Sequence, residues 1–504
     1  MSKNKQQKIG YFIKRLREER GMTQKDLAEA LETSQSAVAR METGNQNFTT
    51  NQLSKISDVL GRKIISLDES IDFKIEGPNE LSGSVETNTS KNGSLGLMCA
   101  ALLNESQTVL HGIPQIEEVY RMIEILESLG VEVKWEGKKT IFIDPPQKFD
   151  FQNINREIAK EIRSSLMLIG ALIHKTSEFR LPHSGGCKMG ERTIAAHEHG
   201  LKKLGVDIEV TEEEYVIKSE NLKPNDVVMY EASDTATENM LIAAALIPGT
   251  TKIEFAPPNY QVRDVCYFLE KCGVKIEGVG TTTLKVHGVN KINQKVEHHN
   301  SEDPIESMMF ISAAATTNSE LTIKRCPIDF LKLELLKLEK MGLEFDKSEP
   351  YKSENGRTDL VDLKIHPSEL KALDDKIHAL PYPGINADNL PFFVPIATQA
   401  EGETLIHDWM WENRAIYFTE LNRLGADIKL ADPHRVFVNG PTELKGNQVV
   451  CPPALRPAMI ILISMLAAEG TSILRNVYSI KRGYEGIAKR LSGLGADIEV
   501  MQDI

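Results

Sequence analysis

Between residues 8 and 20, KIGYFIKRLREER, the apolar positions Ile9, Phe12, Ile13 and Leu16 fall on one face at helical spacing. Gly21-Met22-Thr23 interrupts the pattern, and Thr23 can cap a helix over 24–31. Glu32-Thr33-Ser34 turns the chain into a second short helix, 35–43, which Gly44 ends. A further amphipathic stretch, 51–60, completes a small helical bundle.

Beyond this head the pattern becomes repetitive. A helix ending in Leu/Cys/Met-Gly and followed by a short alternating strand occurs six times: ESLGVEV, KKLGVDI, EKCGVKI, EKMGLEF, NRLGADI and SGLGADI. Their glycines, Gly130, Gly205, Gly273, Gly342, Gly425 and Gly495, follow one another at 75, 68, 69, 83 and 70 positions. Between them lie helices rich in Ala and Met, such as LMCAALL, MLIAAAL, MMFISAAAT and MIILISMLAA, whose small residues let helices pack closely. Each unit thus holds two helices and several strands, with the glycine as helix cap. Units of this length exceed the usual ~20–50 residues of a solenoid repeat.

A chain of 504 residues exceeds one hydrophobic core, and its 41% apolar and 26% charged residues are ordinary for a globular protein. No apolar run approaches the ~20 residues that span a bilayer. The N-terminus carries charge without an apolar stretch behind it, so it is not read as a secretory signal, and a cytoplasmic location is expected. The six cysteines form no CxxC pair, which argues against a zinc site or a disulfide framework. Most read as small buried hydrophobes. His298-His299 sits in a polar run without a third ligand at useful spacing, so it reads as a solvated loop, and no metal is expected. The net charge of −13 is uneven: residues 1–66 carry 12 Lys/Arg against 7 Asp/Glu. A basic head on an acidic body points to a polyanion partner for the head alone.

The stretch GMTQKDLAEALETSQSAVARMETG closely resembles the phage-repressor-like helix-turn-helix family. The resemblance implies that the second helix enters the major groove, with Gln35, Ser36 and Arg40 facing bases or phosphates and Gln24 bonding the DNA backbone. Gln and Arg suit this work because each can form paired hydrogen bonds to adenine or guanine edges. Such heads commonly act on paired half-sites, so self-association as a homodimer is expected. A protein-docking role for the bundle remains the alternative.

The body resembles the enolpyruvyl transferase family, of the UDP-N-acetylglucosamine carboxyvinyltransferase type, over about residues 70–504. That resemblance implies an α+β fold: a two-domain inside-out α/β barrel of six repeated units, with the active site in the cleft between domains. One domain would combine 70–90 with 302–504 and the other span 91–301, behind a head over 1–68. HHNSEDP, 298–304, would be the return crossing. The family needs no cofactor and transfers the enolpyruvyl group of phosphoenolpyruvate onto a hydroxyl of a UDP-sugar. Phosphoenolpyruvate carries a carboxylate and a phosphate, which arginine forks suit. A base must also take the hydroxyl proton.

By resemblance TSKNGS supplies Lys91 for the phosphate and Asn92 for the acceptor, and EIRSS supplies Arg163. LPHSGGCKMGER carries Cys187 and Arg192 on a loop whose glycines and cations favour a reactive thiol. YPGINAD supplies the base Asp388, and WENRAI, PALRPA and KRGYEG supply Arg414, Arg456 and Arg482. Taken singly, a Lys, Arg or Asp is most often a solvated charge or a cap. The GGC loop and the RGYE segment favour this branch over the shikimate-phosphate branch.

Departures cluster on the nucleotide side. Thr193-Ile194-Ala195-Ala196-His197 lacks the family's uracil-contacting Asp. Glu231-Ala232-Ser233-Asp234-Thr235-Ala236-Thr237 keeps Ser233 but replaces a Lys by Glu231, which repels a diphosphate. Asn259-Tyr260-Gln261-Val262 replaces Glu-Pro-Glu-Ile, and Ala454 replaces an Asp. Three readings stay open: a UDP-N-acetylglucosamine enzyme with altered contacts, a transferase with another nucleotide or sugar-nucleotide acceptor, or a ligand-sensing regulator without turnover.

Overall fold

The computed structural model describes residues 9–10, 13–14, 16–17, 22–31, 33–44, 46, 48, 50–59, 71–185 and 193–502. Contacts divide the chain into one unit of residues 1–70 with 502–504 and another of residues 71–501.

In the first unit, helices span Gln24–Ala30, Gln35–Glu42 and Thr50–Val59. Thr23 accepts from the Asp26 N–H while the Asp26 side chain accepts from Thr23, a reciprocal cap that starts the first of these helices. Ser34 caps the second, accepting from Ala37 N at 3.2 Å. Gly44, at φ +69°, ends it as expected. Ile13 and Leu16 bury with Leu27, Val38, Met41 and Ile56 in a core drawn from this unit alone. Phe12 lies outside the described residues.

Among its described residues the second unit contains six small sheets. Five share one plan: a short edge strand pairs in parallel with a longer one, and the remaining strands follow. Gln448–Val450 and Gly470–Arg475 make such a parallel start, as do Ser84–Glu86 with Leu321–Pro327, Ile377–His378 with Gly402–His407, Asp226–Val228 with Gly249–Glu254, and Val296–His299 with Thr108–His111. The sixth sheet has three described strands, Glu178–Pro182, Glu214–Lys218 and Asp207–Val210. In the sheet beside Gly470–Arg475, the third position is taken by the unit's first strand, Ile71–Gly77. The six repeat glycines all occupy the left-handed region, with φ from +87° at Gly130 to +101° at Gly495. That conformation stops each helix and turns the chain into the next strand, a step a Cβ would strain.

Strands bury one face: Ile141 and Ile143 of Thr140–Asp144 are buried and their neighbours are not. Several helices, by contrast, are buried all round. Every residue of Pro304–Thr316 is buried, as are Met459–Leu466 of Leu455–Ala467 and Ala236–Ala245 of Asp234–Ala245. Helices inside and sheets outside give the inside-out barrel anticipated above, with small residues at the helix contacts.

The apolar interior forms two clusters. One gathers side chains of 73–85 and 305–496. The other gathers 95–296, and Tyr260 alone from this stretch joins the first cluster. The chain passes between them twice, side by side: Ser90 N donates to Ser301 O at 2.7 Å, and Thr89 bridges Glu302. The expectation of a solvated loop at His298-His299 is corrected here. Both residues lie in the strand Val296–His299, and His298 is fully buried, 2.9 Å from Asp264. Polar composition misled because Asn300, Ser301 and Glu302 are buried too, and much of their hydrogen bonding runs along the crossing: Asn300 Nδ2 donates to Ser90 O at 2.8 Å. Among the described residues no helix is long and apolar enough to cross a membrane.

Candidate active site

A cavity of about 770 Å³ opens between the two apolar clusters. It is lined by Lys91, Asn92, Arg163 and Ser233 from one side and by Asp388, Arg414, Arg456 and Arg482 from the other. Eight expected residues, hundreds of positions apart, thus share one cleft. Cys187 and Arg192 lie outside the described residues.

Lys91 and Asn92 open the helix Lys91–Ala101, whose N-cap Ser90 accepts from Gly93 N at 3.0 Å. A Cβ at Gly93 would come within 2.6 Å of Asn300 Oδ1, so this close turn demands glycine. The helix start adds its own positive end to the lysine charge, which suits an anion. Glu118 ties the two sides together: one carboxylate oxygen is 2.6 Å from Lys91 Nζ and the other 2.8 Å from Arg482 Nη2. Burial raises the Glu118 carboxyl pKa, but the two cations outweigh it and leave it lowered. Asn92 Nδ2 donates to the Tyr260 hydroxyl at 3.1 Å.

Asp388 sits among cations. Arg456 Nη2 is 3.2 Å from Asp388 Oδ2, and Arg414 Nη1 is 3.9 Å from Oδ1. Burial raises the Asp388 pKa, yet Arg456, Arg414 and Lys91 together hold it below the usual carboxylate range. Arg456 also donates to the Tyr484 hydroxyl at 2.7 Å. Arg414 is 1% exposed and is forked onto Asp408 at 2.5 and 2.8 Å, with a third bond to Ala387 O. Its guanidinium is therefore fixed by protein acceptors and aimed past them at Asp388.

The opposite wall holds the departures, and they contact one another. Ser233 caps the helix Asp234–Ala245, and Asp234 accepts from Asn259 Nδ2 at 2.8 Å. One turn on, buried Glu238 accepts from Gln261 Nε2 at 2.9 Å. The family's acids at 259 and 261 would each face a carboxyl here, whereas the amides donate to them. Burial pushes the Asp234 carboxyl up to about 6, with Asp388 adding to it against the Asn259 bond. Glu231 lines the same wall. His197 is buried against Asn239 Nδ2 at 3.1 Å, and burial, with Arg163 nearby, drives its pKa down to about 3, so it stays neutral. Arg163 Nη2 donates to Thr193 O at 2.7 Å. Leu380, Tyr382, Trp409 and Trp411 supply an apolar floor.

Sequence reasoning missed Glu118, Asp408, Asn259 and Tyr484. Tyr484 stood inside the RGYE segment, and Asn259 was seen only as a departure. Glu118 and Asp408 carry no motif and emerge only through the fold. The remaining cysteines behave as expected: Cys99, Cys266, Cys272, Cys326 and Cys451 are free and buried. Burial pushes the last three thiols up to about 12.

In the head, Gln35, Ser36 and Arg40 are exposed along the second helix of the pair. Gln24 is turned inward, its Nε2 donating to Glu42 Oε2 at 2.8 Å.

Comparison with known proteins agrees with this geometry. Residues 75–491 match the family model described as EPSP synthase (3-phosphoshikimate 1-carboxyvinyltransferase), and residues 13–67 match a helix-turn-helix model. A UDP-N-acetylglucosamine 1-carboxyvinyltransferase of Treponema denticola is 35% identical over 436 residues, covering 86% of this chain and 99% of its own. One from Bradyrhizobium diazoefficiens is 33% identical, covering 85% and 98%. Among solved structures, the enolpyruvyl transferase NikO from Streptomyces tendae has a TM-score of 0.76 at 24% identity, covering 86% of this chain and all of that one. Fold and cleft together define a carboxyvinyl-transferring architecture. The chain belongs to the enolpyruvyl transferase family, on the branch of the UDP-N-acetylglucosamine 1-carboxyvinyltransferases, with a helix-turn-helix domain ahead of it.

Proposed function

We propose that the body transfers the enolpyruvyl group of phosphoenolpyruvate to the 3-hydroxyl of UDP-N-acetylglucosamine, releasing phosphate and serving peptidoglycan precursor synthesis. One observation carries this: Lys91, Arg456 and Arg482 converge with Asp388 across a single cleft. In the reaction, the acceptor oxygen bonds to C2 of phosphoenolpyruvate and C3 takes a proton, giving a tetrahedral ketal that carries the phosphate. Loss of phosphate and of a C3 proton restores the double bond. Lys91, Arg163, Arg456 and Arg482 hold the two anionic groups, and Arg414 positions Asp388. Asp388 takes the hydroxyl proton, and Asn92 and Ser233 orient the acceptor. Bound anions offset the arginine charges that depress Asp388, so its basicity rises once the donor is in place. Cys187 acts in catalysis and Arg192 in substrate binding, as the resemblance implies. Residues 70–90 with 302–504 and residues 91–301 are the two domains that close over the substrates.

The domain match and the exposed Gln35, Ser36 and Arg40 support DNA binding by residues 1–68, as a homodimer on paired half-sites. Free buried cysteines support the cytoplasm as its compartment.

The test is phosphate release from phosphoenolpyruvate by the full chain, with and without UDP-N-acetylglucosamine. Acceptor-dependent release, falling at least about a hundredfold in Asp388→Asn, is expected. A second reading, a different hydroxyl acceptor, is favoured by Glu231 and Asp234 on the acceptor wall. Release only with a different nucleotide or sugar-nucleotide acceptor would select it. No release with any acceptor at high enzyme concentration would overturn both readings and favour a ligand-sensing role.

A further inference from the structure

The strand Val296–His299 runs parallel to Thr108–His111, and the register sets His299 opposite His111. Glu297 lies two positions before His299, hence on the same face of the sheet. The structure therefore assembles what spacing alone concealed: His111, Glu297 and His299 offer one ligand atom each, all within 4.8 Å of one another. His111 Nε2 is 2.5 Å from Glu297 Oε1, while its Nδ1 is bonded to Thr140 Oγ1 at 3.0 Å. A fourth ligand, a second carboxylate, arrives from beyond the crossing. Glu354, on the segment between the strands Tyr351–Lys352 and Asp359–Ile365, places Oε2 3.0 Å from His299 Nδ1.

We propose that His111, Glu297 and His299, with Glu354 closing the set, bind a borderline divalent cation of the Zn²⁺ type beside the second crossing of the chain. Two imidazoles and two carboxylates match that ion's preference for nitrogen and oxygen donors in fourfold coordination. Bonds of ~2.0–2.2 Å put tetrahedral ligands about 3.3–3.6 Å apart, and the ligand atoms of His111, Glu297 and His299 now lie within 4.8 Å of one another. The two imidazole rings stack at 4.4 Å with 21° between their planes. Sharing one ion requires one of them to rotate about χ2, a broad torsion with a low barrier. The Thr140 bond to Nδ1 is the outer contact that fixes a ligating ring and leaves its other nitrogen facing the ion. Both rings are half-buried and both carboxylates are exposed, which leaves an entry path from solvent. A hydrogen bond now joins His111 to Glu297, so the ion replaces the proton shared there. Its affinity therefore climbs with pH. Once bound, it ties the strand Val296–His299 to the segment around Glu354.

The probe is Zn²⁺ itself in equilibrium dialysis against the untagged full chain, with Cys187→Ala in every sample to remove a competing thiol. Co²⁺ in place of Zn²⁺ reports ligand number through its visible absorption. One equivalent of Zn²⁺ is expected, with affinity lowered at least about tenfold in His111→Ala and in His299→Gln. A smaller loss is expected in Glu354→Gln, and four-coordinate Co²⁺ bands should vanish in His299→Gln. Circular dichroism checks that each variant folds. Zn²⁺ binding of equal strength in parent and His299→Gln, or no stoichiometric binding by the parent, would overturn the proposal.

Discussion

Asp388 and Asp234 show how one cleft gives two carboxyl groups opposite character. Asp388 is held ionised by Arg456, Arg414 and Lys91 despite its burial. Asp234 has one neutral donor, Asn259, and burial pushes it up to about 6. A folded-state value above the unfolded 3.8 means that the folded protein holds this proton more tightly. The resulting stabilisation is complete below about 3.8 and is lost as pH rises through about 6. Asp234→Asn keeps an oxygen for Asn259 to donate to and removes the titration. The variant should match the parent near pH ~4, gain on it between ~4 and ~6, and hold that gain above, read as the urea midpoint of the body. Parallel pH profiles for variant and parent would show that Asp234 carries no such cost. The same residue explains why the acceptor wall was only half legible from sequence. Asp234 and Asn259 registered separately as departures 25 positions apart. That one donates to the other needed the fold.

At the scale of elements, what could be read were local signals: caps, glycine stops and alternation. Thr23, Ser34 and Gly44 fixed the head helices to within a residue or two, and six positive-φ glycines marked the six units. Long-range pairs left no such trace. The strand Val296–His299 read as a polar loop because its partner, Thr108–His111, lies nearly two hundred positions earlier. The fork of Arg17 on Glu42 is of the same kind. Nε meets Oε1 at 2.5 Å and Nη2 meets Oε2 at 3.2 Å, with the Glu42 side chain 2% exposed. Removing one partner of a buried pair costs about 3–5 kcal/mol, because the other charge stays buried and uncompensated. A bundle this small commands only about that much in total. Glu42→Gln should therefore unfold much of the head in the intact chain. Hydrogen exchange should show Gln24–Ala30 and Gln35–Glu42 losing protection while the strands of 71–501 keep theirs. DNA affinity should fall with it, although Glu42 is turned into the bundle. Unchanged protection would mean that the pair is worth no more than a surface contact.

For the whole molecule, the separation of apolar cores sets how it melts. Among the described residues the head core contains only head residues, and the two clusters of the body contain only residues 73–496. Contacts set the head apart from the body but keep the two clusters of the body in one compact unit, so the head unfolds in its own step and the body in another. Unfolding enthalpy scales at about 0.7 kcal/mol per residue, so calorimetry should show a small head transition of about 50 kcal/mol and a far larger body transition. Ligands of the cleft bind only the folded body. Phosphate with UDP-N-acetylglucosamine, at about 100 times the dissociation constant, should stabilise it by about 2.7 kcal/mol and move the large transition up by a few degrees. Operator DNA should move only the small one. If the cleft ligands also raised the head transition, the two units would be thermodynamically linked. Reciprocity would then require DNA to tighten the cleft by the same factor. Independent shifts mean that the head carries the body to DNA without sensing its substrates, while shared shifts would make cleft occupancy the signal that the head reads out.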